Sequence, residues 1–257
     1  MNLLRFYLNK LSGKPSVFDF TLLGQSVTLG IAAPREIRRA HEIEIESELV
    51  QHMRSTLRDG DTILDIGANI GLISILLANG PRGSDSQIHA FEPEPRNFRQ
   101  LQNNIQINNL KARVHPHQLA LGAEEGHVDL HIRGSEGEGR HSIASSKGAT
   151  DVISVELTTM ADFCKRQGIR PDIIKIDVEG AEGQVLAGMQ GLLQYAPPAD
   201  VFLEVHPKGD TDLMPDGQSI QDWMEHHGYA LVWNNVRGSG EHRHYHYEGE
   251  SKGEPGA

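Results

Sequence analysis

TILDIGANIG, residues 62–71, joins a short apolar run to a glycine turn and then to the apolar segment LISILLA. A buried strand that ends in glycines and passes directly into a helical pattern is the opening unit of a parallel α/β sheet. Gly67 and Gly71 let the backbone turn tightly and approach a ligand, and the start of the next helix offers free N–H groups. Three runs repeat the pattern: QIHAFEP at 87–93, PDIIKIDVEG at 171–180 and DVFLEVHP at 200–207, each closed by an acidic or glycine-containing cluster. Parallel strands joined by helices follow from that alternation.

The connecting segments agree. After Pro95, which suits a first helical position, Phe98, Leu101 and Ile105 fall on one face of PRNFRQLQNNIQINN; Val185, Leu186, Met189 and Leu193 do so after Glu182. SIQDWMEHH predicts a helix with Ile220, Trp223 and Met224 inward, stopping near Gly228 before a last strand, YALVWNN. Upstream, VFDFTLLGQSVTLGI at 17–31 gives two β-prone runs around a turn, and HEIEIESELVQHMRSTL carries Ile45, Leu49, Met53 and Leu57 at helical spacing. The pattern yields about six core strands. The expected organisation is a hairpin-and-helix extension over 1–58, a main α/β domain over 59–237 and a polar, flexible tail over 238–257. RGSEGEGRHSIASSKGAT, 133–150, is too rich in Gly and Ser to pack, so it is either functional or disordered.

Composition narrows the partners. Twenty-four basic against 35 acidic residues give a net charge of −11, which disfavours nucleic acid. The single cysteine, Cys164, fits a reducing compartment and reads as a helix-face packing residue. MNLLRFYLNKLSGK lacks an uninterrupted apolar stretch for a signal peptide, and no run approaches the roughly 20 apolar residues of a membrane span. A soluble, cytoplasmic protein is the expectation. That leading segment has the pattern of a weak amphipathic helix, and oligomeric state is not legible.

The glycine turn is not a dinucleotide fingerprint, because Ala68 and Asn69 follow Gly67 and Asn69 stands where a second glycine belongs. Glu92, with Pro93 beside it, lies at the end of the next strand, at about the 20-residue interval from which an acid accepts ribose hydroxyls. Turn and acid together point to an adenosine-containing cofactor without a pyrophosphate.

DIGANIGLIS, FEPEPRNFRQLQNNIQIN, HQLALG and IIKIDVEGAEGQVLAGM stand in an order and spacing that resembles the FkbM family of class I S-adenosylmethionine-dependent methyltransferases, over roughly residues 60 to 207. The resemblance implies a doubly wound, Rossmann-like sheet of seven strands, mostly parallel with the last reversed. It also implies O-methylation, with a sugar, glycolipid or secondary-metabolite hydroxyl as acceptor. Carried onto matching positions, Asp65, Gly67, Ala68, Asn69 and Gly71 would hold the amino-acid end of the cofactor, Asp65 pairing with its ammonium. Glu92 and Pro93 would meet the ribose, and Ala120, read as the end of the third strand, the adenine.

Alternation along IIKIDVE puts Lys175, Asp177 and Glu179 on one side, while Glu182 starts the next helix; Glu204 and His206 share a face of the following strand. Ligands of open α/β sheets bind beyond the carboxyl ends of the strands. Methyl transfer to an alcohol requires removal of a proton, by a general base or with the help of a divalent cation. Asp177, Glu204 and His206 are the candidates for base and for metal ligands, and Asp177 is also a cofactor contact; such a set would accept magnesium or manganese.

Nitrogen or carboxyl methylation, and a cofactor-binding assembly or regulatory protein without turnover, are the rival readings. No Asn-Pro-Pro-Tyr-type segment follows the fourth strand, where Val178-Glu179-Gly180 stands, which disfavours methylation of adenine nitrogen. His242, His244 and His246 alternate in EHRHYHYE and read as solvated or adventitiously metal-binding, and His115 and His117 are assigned no role. Acceptor-recognising residues are expected in the N-terminal preface, the 133–150 segment and the last strands.

Overall fold

The computed structural model describes residues 16–31, 47–83, 85–133, 149–205, 212–237 and 240–249. His206 and Ile45 lie outside them, as does most of the 133–150 segment. The central sheet is built from β3 (Thr62–Ile66), β4 (Gln87–Phe91), β5 (Val114–His117), β9 (Ile173–Ile176), β10 (Asp200–Val205), β11 (Tyr229–Arg237) and β12 (Gly240–Tyr247). Their order is β5-β4-β3-β9-β10-β12-β11. β3 pairs in parallel with both β4 and β9, β4 with β5, and β9 with β10; β12 runs antiparallel between β10 and β11. From β3 the chain winds outward first through β4 and β5, then on the other side through β9 and β10. Such a reversal opens a crevice beyond the carboxyl ends of the two central strands.

Both faces of the sheet are covered. Ile63, Ile88, Ile173 and Phe202 point into a core shared with α1 (Ser47–Thr56), α2 (Leu72–Ala78) and α3 (Pro95–Ile107). Leu64, Ile66, Ile174, Ile176 and Leu203 point the other way, onto α4 (Met160–Gln167), α5 (Glu182–Leu193) and α6 (Ile220–His226). Double burial is why these short strands read as nearly continuous apolar runs. Cys164 lies fully buried on α4, and burial pushes its thiol up to about 12, which suits packing and not nucleophilic attack.

Local chemistry sets the helix ends. Pro95 opens α3 at its first turn while the Glu94 side chain accepts from the Asn97 amide at 2.7 Å. Thr159 and Ser219 cap α4 and α6 in the same way, and Gly168 closes α4 in the left-handed conformation at φ 66°.

The N-terminal hairpin, β1 (Val17–Leu22) and β2 (Gln25–Gly30), turns at Leu23 and Gly24, whose φ values of 51° and 77° define the turn that matches strand twist. Val27 and Leu29 join the same core as Ile63. The hairpin's edge is covered by an amide stripe one helical turn apart on α3. The Gln100 side chain donates to the Gly30 carbonyl at 2.7 Å, Asn104 accepts from the Gly30 amide at 2.8 Å, and Asn108 both donates to and accepts from the Thr28 backbone. Asn104 is fully buried and also donates to the Ile70 carbonyl of the glycine turn at 2.8 Å.

Three expectations are corrected. The flexible tail from Gly238 is wrong for Gly240–Tyr247, which is an interior strand, so the boundary at 237/238 falls inside the β11–β12 hairpin. Its histidines are not simply solvated: His242 and His244 are buried, His246 is half-exposed, and His242, Arg243, His244 and His246 each find a partner from a distant segment. Secondly, Ala120 does not end the third strand. β5 stops at His117, and Ala120 begins β6 (Ala120–Leu121), part of an accessory sheet in the order β6-β8-β7 with β7 (Gly126–Arg133) and β8 (Ala149–Thr158). Lastly, β9 stops at Ile176, so the alternation does not reach Glu179, which sits in a turn at φ 55°. Among the described residues no helix is long and apolar enough to cross a membrane.

Candidate active site

The crevice lies where β3 and β9 end. Gly67, at φ 80°, packs so closely against β9 that an added Cβ would lie 1.8 Å from the Asp177 carbonyl oxygen. Gly71, at φ 88°, leaves room for Leu101 of α3, whose methyl a Cβ would meet at 2.5 Å. Both glycines are therefore required by packing as well as suited to close approach by a ligand. The turn is tied to β4 by hydrogen bonds from the Gly67 and Ala68 amides to the Phe91 carbonyl, at 3.0 and 2.9 Å.

Glu92 spans the turn and the next helix. One oxygen accepts from the Asn69 amide at 2.9 Å and the other from the Glu94 amide at 3.0 Å, with the Asn97 side chain at 3.5 Å. Burial pushes its carboxyl up to about 7, although those three donors pull the other way. Asn69 holds a left-handed conformation at φ 53°, and its side-chain oxygen is buried with no hydrogen-bond partner. An orphaned acceptor of that kind, next to a buried acid, fits a ligand that brings its own donors. Pro93 is half-buried in the link between β4 and α3, while Ala120 is buried in the accessory sheet.

Asp65, expected to pair with a ligand's ammonium, has an ammonium partner within the chain in Lys175. The Asp65 carboxylate is fully buried, accepts from the Ser74 hydroxyl at 2.6 Å and stands 3.2 Å from the Lys175 Nζ. That same Nζ lies 3.3 Å from the Asp177 carboxylate and donates to the Gly67 carbonyl at 3.3 Å. Burial alone would lower the lysine, but Asp65 and Asp177 outweigh it and hold the ammonium above its ordinary range. Two carboxylates, Asp65 and Asp177, share the Lys175 ammonium where the strands end. The Asp177 amide is held by the Ile66 carbonyl at 3.0 Å, and its side chain is partly exposed. Glu182, expected at the helix start, begins α5 and accepts from the Gly180 amide at 3.0 Å.

Glu204 lies one residue beyond the last paired residues of β9 and β10, Ile176 and Leu203. Its carboxylate is 3.4 Å from Nε2 of His242, its register partner on β12. His242 and Lys175 are the site residues that sequence reasoning missed. The signal for His242 was the alternation of EHRHYHYE, a strand pattern in a segment assigned to the tail. Lys175 was placed on the face of Asp177, but a lysine inside an apolar run gave no sign of being enclosed. The three expected metal ligands are not seen together: His206 lies outside the described residues, and Asp177 and Glu204 face Lys175 and His242.

A seven-strand sheet in this order, with a glycine turn after its first strand, an acid after its second, a carboxylate after its fourth and another near the end of its fifth, defines a Rossmann-like methyltransferase. The methyltransferase FkbM domain matches residues 65–231, and the chain belongs to that family of S-adenosylmethionine-dependent enzymes. It is 25% identical over 202 residues to the hexuronic acid methyltransferase AglP of Haloferax volcanii, covering 76% of this chain and 78% of that protein. It is 30% identical over 142 residues to the 2-O-methyltransferase NoeI of Sinorhizobium fredii, covering 49% and 56%. Among solved structures, the methyltransferase FkbM from Methylobacillus flagellatus shares the fold at a TM-score of 0.50 and 18% identity, covering 75% of this chain and 45% of that one.

Proposed function

We propose that the protein transfers a methyl group from S-adenosylmethionine to a hydroxyl of a sugar, glycolipid or secondary metabolite, with Asp177 as proton acceptor. The observation that carries this reading is the Asp65–Lys175–Asp177 network beside the glycine turn. The cofactor, when bound, supplies an electrophilic methyl on a sulfonium. The chain's part is to hold that cation, to orient the acceptor and to take up its proton. Carboxylates at the ends of β9 and β10, Asp177 and Glu204, are groups that attract a sulfonium and an ammonium. Glu92 is suited to accept a ribose hydroxyl, since Oε2, which accepts from the Asn69 amide, retains a lone pair for a further donor.

Asp177 is anchored through its amide and its lysine partner, so its carboxylate is positioned before substrate arrives. With the cofactor bound, Asp177 would take up the acceptor's hydroxyl proton as the methyl carbon moves from the sulfonium sulfur, which leaves as a neutral thioether, to the acceptor oxygen. Glu204, oriented by His242, stands as the second candidate for the proton. His206, directly after β10, retains its place as a sequence-based candidate for base or metal ligand. Asp177, Glu204 and His206 together would be the ligands if a divalent cation assists the reaction. Converging carboxylates favour a hydroxyl over an anionic carboxylate acceptor, and the net charge of −11 favours a small acceptor over a nucleic acid.

Labelled-methyl transfer across sugar, uronic-acid and polyketide acceptors, with and without chelator, tests the reading. Asp177→Asn is expected to lower kcat by about 10²–10⁴-fold, a larger loss than calorimetry shows in cofactor affinity. Undiminished transfer by that variant would sink the assignment of the base. Failure of the parent chain to bind S-adenosylmethionine would sink the whole reading.

A further inference from the structure

Asp200 opens β10 at its amino end, so it lies at the opposite edge of the sheet from the glycine turn. There the second face-sharing histidine of β12, His244, and the third, His246, converge on one carboxylate oxygen. His244 Nε2 and His246 Nδ1 each stand 2.8 Å from Asp200 Oδ1, and all three ligand-type atoms lie within 4.8 Å of one another. We propose that Asp200, His244 and His246 form a binding site for a zinc-class divalent cation, separate from the methyl-transfer crevice.

The donor set selects the ion. Two imidazoles and a carboxylate suit zinc and its borderline neighbours, whereas magnesium and calcium prefer oxygen alone. Tetrahedral ligands about 2.0 Å from the ion stand about 3.3 Å apart, so the 2.8 Å separations need to open by only about half an ångström. Asp200 and His244 are buried, and His246 borders a cleft lined by Ser55, Thr56, Arg58 and Arg82, which leaves a fourth position open to solvent. Those arginines mean that local charge does not gather cations by itself, so the convergence of ligands must do so.

The surroundings of His244 complete the case. Its other nitrogen, Nδ1, lies 2.9 Å from Nε2 of His52 on α1. When Nδ1–H donates to His52, the Nε2 lone pair of His244 faces the site, and a metal-ligating histidine almost always has such a second partner. His52 is in turn fixed by stacking on Trp233 at 4.4 Å. Without an ion, the same atoms make a plain hydrogen-bonded cluster, and the two states are distinguishable by experiment.

The full chain, stripped with chelator and dialysed against zinc, is expected to retain one equivalent by atomic emission and to unfold at a higher temperature than the stripped form. Cobalt in place of zinc should give visible absorption bands of a four- or five-coordinate site. His246→Ala is the decisive variant, because His246 is 43% exposed and its loss leaves the core intact. It should lose the equivalent, and His52→Ala should weaken binding by about 10–100-fold. Zinc that does not bind, or that binds equally to His246→Ala, overturns the proposal; the latter outcome would place the ion on others of the 14 histidines.

Discussion

The two ends of β10 bury charge in opposite ways. At the carboxyl end, beside β9, two carboxylates gather around Lys175 where the strands stop and the backbone turns, and Glu204 stands nearby over His242. At the amino end, Asp200 receives two imidazoles inside an unbroken antiparallel ladder with β12. Where the ladder continues, backbone hydrogen bonds fix the register and the polar side chains are matched to each other across it. Where β3 and β9 stop, the same kind of network borders a crevice. Buried charge within a ladder therefore answers first to the neighbouring strand, whereas charge at a strand end borders the crevice.

The strongest way to break the carboxyl end is Lys175→Met, which leaves the fully buried Asp65 without its cation. Loss of about 3–5 kcal/mol is expected in urea unfolding. Adding Asp65→Asn should restore most of that loss, and no recovery would mean that the lysine acts through packing alone. On β12 the matching break is Arg243→Met. Arg243 donates to both oxygens of Asp212 and to Glu241, and its partners keep it above its usual range against the pull of burial. About 1.5–3 kcal/mol should be lost, less than at Lys175 because Asp212 stays partly in water. Equal losses at the two positions would erase the contrast between the ends.

The smallest effect sharpens the comparison through pH. Glu92 titrates at about 7 in the folded chain, above its ordinary 4.5. Its raised value means that its contribution to stability is present below about pH 4.5 and is lost as pH rises through about 7. Ribose hydroxyls donate to the ionised form, so cofactor affinity should move the other way and tighten by up to about tenfold between pH 6 and pH 8. Calorimetry at both values checks this, and Glu92→Gln should flatten the profile. A profile unchanged in that variant would place the titrating group elsewhere.

Much of the sheet could be read directly, because β3, β4, β9 and β10 are buried on both faces and carry few polar residues to obscure them. β12 could not, since half of its residues are His or Arg. Each becomes tolerable inside only through a partner far along the chain: Glu204 for His242, Asp212 for Arg243, Asp200 and His52 for His244. Composition cannot reveal such pairings. The accessory strands had a period-two signal in Val128, Leu130 and Ile132, which the glycine-rich stretch after Arg133 masked. At the site, Asp177 and Glu92 stood out as acids ending apolar runs. Lys175 did not, because its significance depends on Asp65, a residue on another strand.

Asn104 joins parts of the molecule that look independent. Its amide group reaches the Ile70 carbonyl on one side and the Gly30 amide on the other, and both contacts are shielded from water. The N-terminal hairpin is thereby a listening post for the glycine turn. Protection of the Gly30 amide against hydrogen exchange is therefore expected to depend on the turn holding its shape, so a probe placed on the hairpin senses a loop on the far side of Asn104.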